Sequence, residues 1–211
     1  MKKESKRAKN KWDKARISYE YARKYLEQKT EKEKYSLTVV DLLLVSNFKG
    51  GAASICESMK SIQNKLLPYS IKLREIATLF EDKTLSSLSK ENLEKLAEMG
   101  LSFILLTKDK KTKLDGFGPS YASALLNIYF PELLPIIDRR VLNGARIKGV
   151  EPDSQKQVKN IETHYKEYIT YCHNSLQQSS HSLETLDREL FSIELQEHFK
   201  RKSKKKKSKK K

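Results

Sequence analysis

The chain has 211 residues and a formal net charge of +16, from 43 Lys and Arg against 27 Asp and Glu. That length suffices to bury a hydrophobic core. No apolar run reaches the roughly 18 residues that span a bilayer, which argues against a membrane protein. The charged N-terminus lacks the apolar stretch of a signal peptide, so an intracellular location is expected: cytoplasm or nucleoid in a bacterium, nucleus in a eukaryote. Two cysteines, Cys56 and Cys172, are too few for a disulfide framework and read as reduced core thiols. His164, His173, His181 and His198 show no ligand spacing, so neither metal nor cofactor is expected. The charge lies at the ends. Residues 200–211 hold ten Lys or Arg and no acid, residues 1–16 hold eight basic and two acidic residues, and 17–199 are balanced. Basic ends attract phosphate backbones through counterion release. A solubilising or localising tail is the alternative reading.

From the N-terminus, residues 4–28 predict an amphipathic helix, with Trp12, Ala15, Tyr19, Ala22 and Leu26 at steps of three and four. Residues 31–35 read as a loop. Ser36 is the expected cap of a helix whose core, Leu37 to Val45, is apolar nearly all round and therefore expected to be buried on several sides. The run Ser46-Asn47-Phe48-Lys49-Gly50-Gly51 ends it. A helix over about 52–66 is expected to stop at Pro68, and Ser70 to cap the next, with Leu73, Ile76, Ala77 and Phe80 on one face. After a turn at 85–89, Ser89 caps a helix over 90–99 that stops at Gly100. Residues 102–112 predict a short helix. No alternating strand pattern occurs, so the expected class is all-α.

Leu114-Asp115-Gly116-Phe117-Gly118-Pro119 has the form apolar-x-Gly-apolar-Gly between two helices. The glycines let the chain turn tightly while Leu114 and Phe117 anchor the turn. Backbone N–H groups there and at the start of a helix over 120–130 can then bind a phosphate. A plain helix connector has the same form. Pro131 and Pro135 frame the following loop, and Asp138 precedes Arg139 and Arg140 at a helix start. Two compatible roles are open to Asp138: an N-cap worth about 1 kcal/mol, and a carboxylate facing the groove beside the hairpin. Arg139 and Arg140 suit phosphate contacts, or pairing with acids such as Glu132.

In this order, the glycine hairpin, the proline loop and the aspartate resemble the helix-hairpin-helix–Gly/Pro/Asp superfamily of base-excision DNA glycosylases. The Ser120-to-Asp138 separation of 18 residues matches the family's spacing. The motif covers residues 113–143, and a looser helical likeness covers roughly 36–147. The resemblance implies two helical lobes around a nucleotide pocket and double-stranded DNA as partner. It also implies Asp138 as the catalytic carboxylate that promotes loss of a flipped base, flipping being needed because the glycosidic bond is shielded inside a stacked duplex. Gly116, Phe117, Gly118 and Pro119 would hold DNA. Asn47, at the end of Leu43-Leu44-Val45-Ser46-Asn47, would fill the gap left by the base, or simply cap its helix. Bifunctional members carry a hairpin lysine that forms a Schiff base. Ser120, beside Tyr121, stands there instead, as in monofunctional members, so a lyase step is not expected. Lys49 could reach the pocket from the other side or stay on the surface. The iron–sulfur cysteines of several members are absent.

Beyond residue 153, a helix over about 154–177 is expected, with Val158, Ile161, Tyr165, Tyr168, Cys172 and Leu176 on one face. Ser182 caps a last helix that turns Leu183, Leu186, Leu190, Phe191 and Leu195 to the core, Glu184 and Asp187 suiting its dipole. The organisation expected is a basic N-terminal helix and linker (1–35), a helical domain (36–199) and a disordered Lys-rich tail (200–211), acting as a monomer. A noncatalytic helix-hairpin-helix module that recruits a partner to DNA is the alternative. A protein-interaction domain with RNA-binding ends is a third reading.

Overall fold

The computed structural model describes residues 6–50, 57–150 and 158–193. The expected helix starts at 52 and 154, Cys56, Leu195 and the Lys-rich tail lie outside the described residues. Among the described residues there are eight α-helices and no β-strand, an all-α fold. None of these helices is long and apolar enough to cross a membrane.

Helix α1 (Lys6–Glu27) buries Ala22 and Leu26. It is tied to the central helix by Tyr19 Oη donating to the Asn127 carbonyl at 3.2 Å and Arg23 Nη1 to that of Ile128 at 2.6 Å. Just past α1, the Lys29 ammonium is buried. It donates to Asp41 Oδ1 at 2.7 Å, Tyr129 Oη at 3.0 Å and the Ser36 carbonyl at 3.1 Å.

Helix α2 (Val39–Phe48) is capped by Thr38 rather than Ser36. Asp41 sits where its carboxylate accepts the Thr38 N–H at 2.7 Å while Thr38 Oγ1 accepts that of Val40 at 3.2 Å. This reciprocal box outcompetes a lone serine. Ser36 Oγ accepts from Arg74 instead. The expected burial of α2 on several sides is not found: Leu42 and Val45 are buried, but Leu43 is 55% exposed.

Helix α3 (Met59–Phe80) is continuous where a break at Pro68 is expected, and Ser58 is its cap. Pro68 removes one interior N–H, the one that would meet the Asn64 carbonyl. Buried Leu66, Tyr69, Leu73 and Ile76 hold both halves in one line. Ser70 caps nothing. Buried, it accepts the Leu37 N–H at 2.9 Å and donates to the Leu66 carbonyl at 3.1 Å.

After a 3-10 turn (Leu85–Ser87), helix α4 (Lys90–Leu105) starts at the expected Ser89 cap but runs through Gly100. A Cβ there would lie 2.9 Å from Tyr165 Cε1 and 3.3 Å from Leu134 Cδ2, so this glycine serves packing and not termination. The expected helix over 102–112 is accordingly the end of α4 followed by a turn, which the Thr107 and Thr112 hydroxyls fix by donating to Ile104 and Leu106 carbonyls, each at 2.7 Å.

Helix α5 (Pro119–Tyr129) is buried all round from Ala122 onward, with α1, α2 and α4 against it. The short α6 (Arg139–Ala145) ends in left-handed Arg146. A 3-10 turn (Ile161–His164) leads into α7 (Tyr165–Gln177), so among the described residues the expected helix is regular only from Tyr165. Helix α8 covers 183–193, with Ser182 accepting the Thr185 N–H and Leu183, Leu186 and Leu190 buried. It crosses α6 so closely that a Cβ on Gly144 would lie 2.3 Å from the Leu190 carbonyl oxygen.

Candidate functional site

The hairpin hangs on two buried anchors, Leu114 and Phe117, the latter edge-on to Tyr69 at 6.2 Å between ring centroids. Its two glycines differ. Gly116 has φ 74°, the left-handed region that glycine occupies without strain. Gly118, the N-cap of α5, has ordinary dihedrals, and a Cβ on it would meet nothing within 4 Å. The Asp115 N–H is taken by Glu57 Oε1 at 3.2 Å. Glu57 is held by Lys65 at 2.5 Å and Ser61 at 2.7 Å, and these bonds keep its carboxyl below the usual glutamate range. Glu57, Ser61 and Lys65 recur at steps of four, a pattern visible in the sequence but not read from it. The N–H groups of Gly118 and Ser120 meet no acceptor among the described residues.

Three polar side chains hold the proline loop. Ser123 Oγ accepts the Ile137 N–H at 3.0 Å. Asn127 Nδ2 donates to the Leu134 carbonyl at 2.8 Å and Tyr165 Oη to that of Pro135 at 3.2 Å. Together they fix the backbone that delivers Asp138. Asp138 Oδ1 caps α6, accepting the N–H groups of Arg140 at 2.7 Å and Val141 at 3.1 Å. Its Oδ2 accepts from Lys49 Nζ at 3.2 Å. Burial pushes the Asp138 carboxyl up, but the Lys49 ammonium, the Val141 N–H and the nearby Arg140 outweigh it and hold it below the usual aspartate range.

Asp138 and the hairpin share one groove of about 920 Å³. Five cations line it, Lys49, Lys108, Lys113, Arg139 and Arg140, and Asp138 is the one acid among the lining residues. Gly116, Phe117, Gly118, Pro119, Ser120 and Tyr121 also line it, and burial pushes the Tyr121 phenol up. Arg140 lies over the Phe191 ring at 5.0 Å, and Lys108 pairs with Glu162 at 3.2 Å. Asn47 does not line the groove: it is exposed and donates to Ser18 Oγ of α1 at 3.1 Å.

Sequence reading gave Lys49 no partner and Asp187 no site role. Asp187 belongs to α8, and its buried Oδ1 has no hydrogen-bond partner among the described residues. Burial, the like charges of Asp138 and Glu184, and only partial relief from Lys49 push its carboxyl up to about 8. The signal was present as an acid next to Leu186 in a helix that buries Leu183, Leu186 and Leu190. Comparison with known protein families, curated proteins and solved structures gave no match for this chain.

Proposed function

We propose that the groove binds the backbone of double-stranded DNA and that Asp138 works there as the carboxylate of a monofunctional DNA N-glycosylase. The observation that carries this reading is a single ionised carboxylate set among five cations, in one groove with a glycine turn whose Gly118 and Ser120 N–H groups meet no acceptor among the described residues. The Gly118 and Ser120 N–H groups would donate to a phosphate at the start of α5, aided by the helix dipole. Lys108, Lys113 and Arg139 would neutralise its neighbours. With a flipped nucleotide in the groove, the C1′–N bond breaks, the base leaves with the electron pair and takes up the proton that the attacking water gives up, and positive charge develops on the sugar. Asp138, ionised at neutral pH, stabilises that charge, and water supplies the hydroxyl to C1′. With Ser120 at the hairpin position, no amine stands there to form a Schiff base.

One observation favours the noncatalytic reading, a DNA-binding module that recruits a partner. Both Asp138 oxygens are engaged, Oδ1 by two N–H groups and Oδ2 by Lys49. Single-turnover base release on a panel of damaged duplexes separates the two. Asp138→Asn should slow release by about 100-fold or more while duplex binding persists. Duplex binding with no base loss on any lesion, unchanged in Asp138→Asn, would leave the recruiting module as the function.

A further inference from the structure

Lys49, the C-cap of α2, lines the groove with only 14% of its side chain exposed, and its Nζ lies 3.2 Å from Asp138 Oδ2. Among the described residues it is the one groove cation whose side chain is bonded to that carboxylate. The others are placed for different work. Arg139 and Arg140 keep their protons at any working pH. Lys108 is paired with Glu162 at 3.2 Å, and Lys113 is exposed on the hairpin. The Tyr121 phenol also lines the groove, but burial pushes it up, so it holds its proton more tightly than an ordinary phenol.

We propose that Lys49 is a catalytic residue, the proton donor to the departing base, and that the groove takes uncharged bases, which leave as anions, in preference to cationic alkylated ones. The inference rests on the N-glycosylase reading of Asp138. As the C1′–N bond breaks, a proton of the Lys49 ammonium moves to a nitrogen or oxygen of the base, and Lys49 becomes an amine. Asp138 Oδ2 loses the charge it was paired with as the sugar gains one. The carboxylate thus exchanges one cation for another and is never left unpaired. Water then adds its hydroxyl to C1′ and returns a proton to Lys49, so the proton that water gives up reaches the base by way of this side chain. The exchange frees the oxygen whose engagement favours the noncatalytic reading. Asp138 itself, held below the usual aspartate range, stays ionised and does not take the proton. A base that already carries a positive charge leaves neutral and needs no donor. It also meets five like charges against one acid on the groove wall.

The test is single-turnover base release by the full chain on duplexes carrying uracil, hypoxanthine or oxidised guanine, beside one carrying guanine methylated on its imidazole ring. The parent should release an uncharged base faster than the methylated one. Lys49→Ala and Lys49→Arg should each slow that release by about 100-fold or more, although the arginine variant keeps a cation able to pair with Asp138. Added methylammonium should restore most of the loss in Lys49→Ala. Tetramethylammonium, which has the charge but no proton to give, should not. Full release by Lys49→Arg, equal rescue by both ions, or no rescue by methylammonium overturns the proton donor, and faster release of the methylated base overturns the substrate class. If release requires Asp138 but survives in both Lys49 variants, the inference alone falls. If no duplex loses a base, the N-glycosylase reading falls and the inference with it.

Discussion

Asp138 and Asp187 share a neighbourhood and are pushed in opposite directions, so they leave opposite marks on stability. Asp138 is more acidic folded than unfolded. Its contribution is present above the ordinary aspartate value and is lost as pH falls through the lower folded value. Asp187 holds a proton in the folded state that the unfolded chain releases, so its contribution is full at low pH and fades between about pH 4 and the folded value near 8. Asp187→Asn should therefore be as stable as the parent near pH 4 and increasingly more stable toward pH 8, levelling above it. Urea unfolding at pH 4, 6 and 8 reads this directly, and a difference that does not change with pH would contradict the buried proton. The hairpin glycines also separate at this scale. Gly116→Ala meets a left-handed φ and should lose about 1–2 kcal/mol of stability. Gly118→Ala has open space and should stay within about 0.5 kcal/mol of the parent while weakening duplex binding. Equal losses of stability at the two positions would mean that the second glycine serves the fold and not a ligand. The sequence displays both glycines plainly, but only backbone angles and open space distinguish their reasons.

Among the elements, the crossing of α6 and α8 has the least tolerance. Gly144→Ala sets a methyl against the Leu190 backbone, which cannot rotate aside, so α8 must shift as a unit. Overpacking of this kind costs about 1–3 kcal/mol. Because α8 also carries Asp187 and Phe191, the shift should lower the thermal midpoint and alter the groove together. An unchanged midpoint would show that the two helices can separate freely. Helix ends were legible where a local device marks them: Ser89 and Ser182 cap as expected, and Pro119 opens α5. They were misread where distant packing decides. Pro68 lies inside α3 because buried side chains on both sides outweigh one missing N–H, and Gly100 lies inside α4 because Tyr165 needs the space. The partners that decide both stand more than thirty residues away: Phe103 and Phe117 against Tyr69, and Tyr165 against Gly100.

Across the whole molecule, charge divides into two kinds. The net +16 resides in the ends, whereas the five groove cations come from α2, the turn after α4, the hairpin and α6, inside a stretch of chain that is balanced overall. Composition therefore points to a polyanion but cannot locate the surface that meets it. Removing Lys108 or Arg139 should reduce the salt slope of duplex binding by about one each, uniformly across sequences. A slope unchanged by both would place DNA elsewhere. The folded body also reaches into residues 1–35, set apart in the sequence as a basic helix and linker. Lys29→Met would leave the Asp41 carboxylate buried beside Tyr129 without its cation and should cost about 3–5 kcal/mol, measurable by denaturant unfolding.

That same lysine bears on the order in which the chain can mature during synthesis. Asp41 follows Lys29 by twelve residues, but the Tyr129 hydroxyl that completes the cluster follows by a hundred. At roughly 5–20 residues per second, the ribosome needs about 5–20 s to make up that difference. Throughout that interval α1 can meet α2 but has no central helix to receive the Tyr19 and Arg23 hydrogen bonds. Helix α1 is thus fully secured only after α5 leaves the exit tunnel.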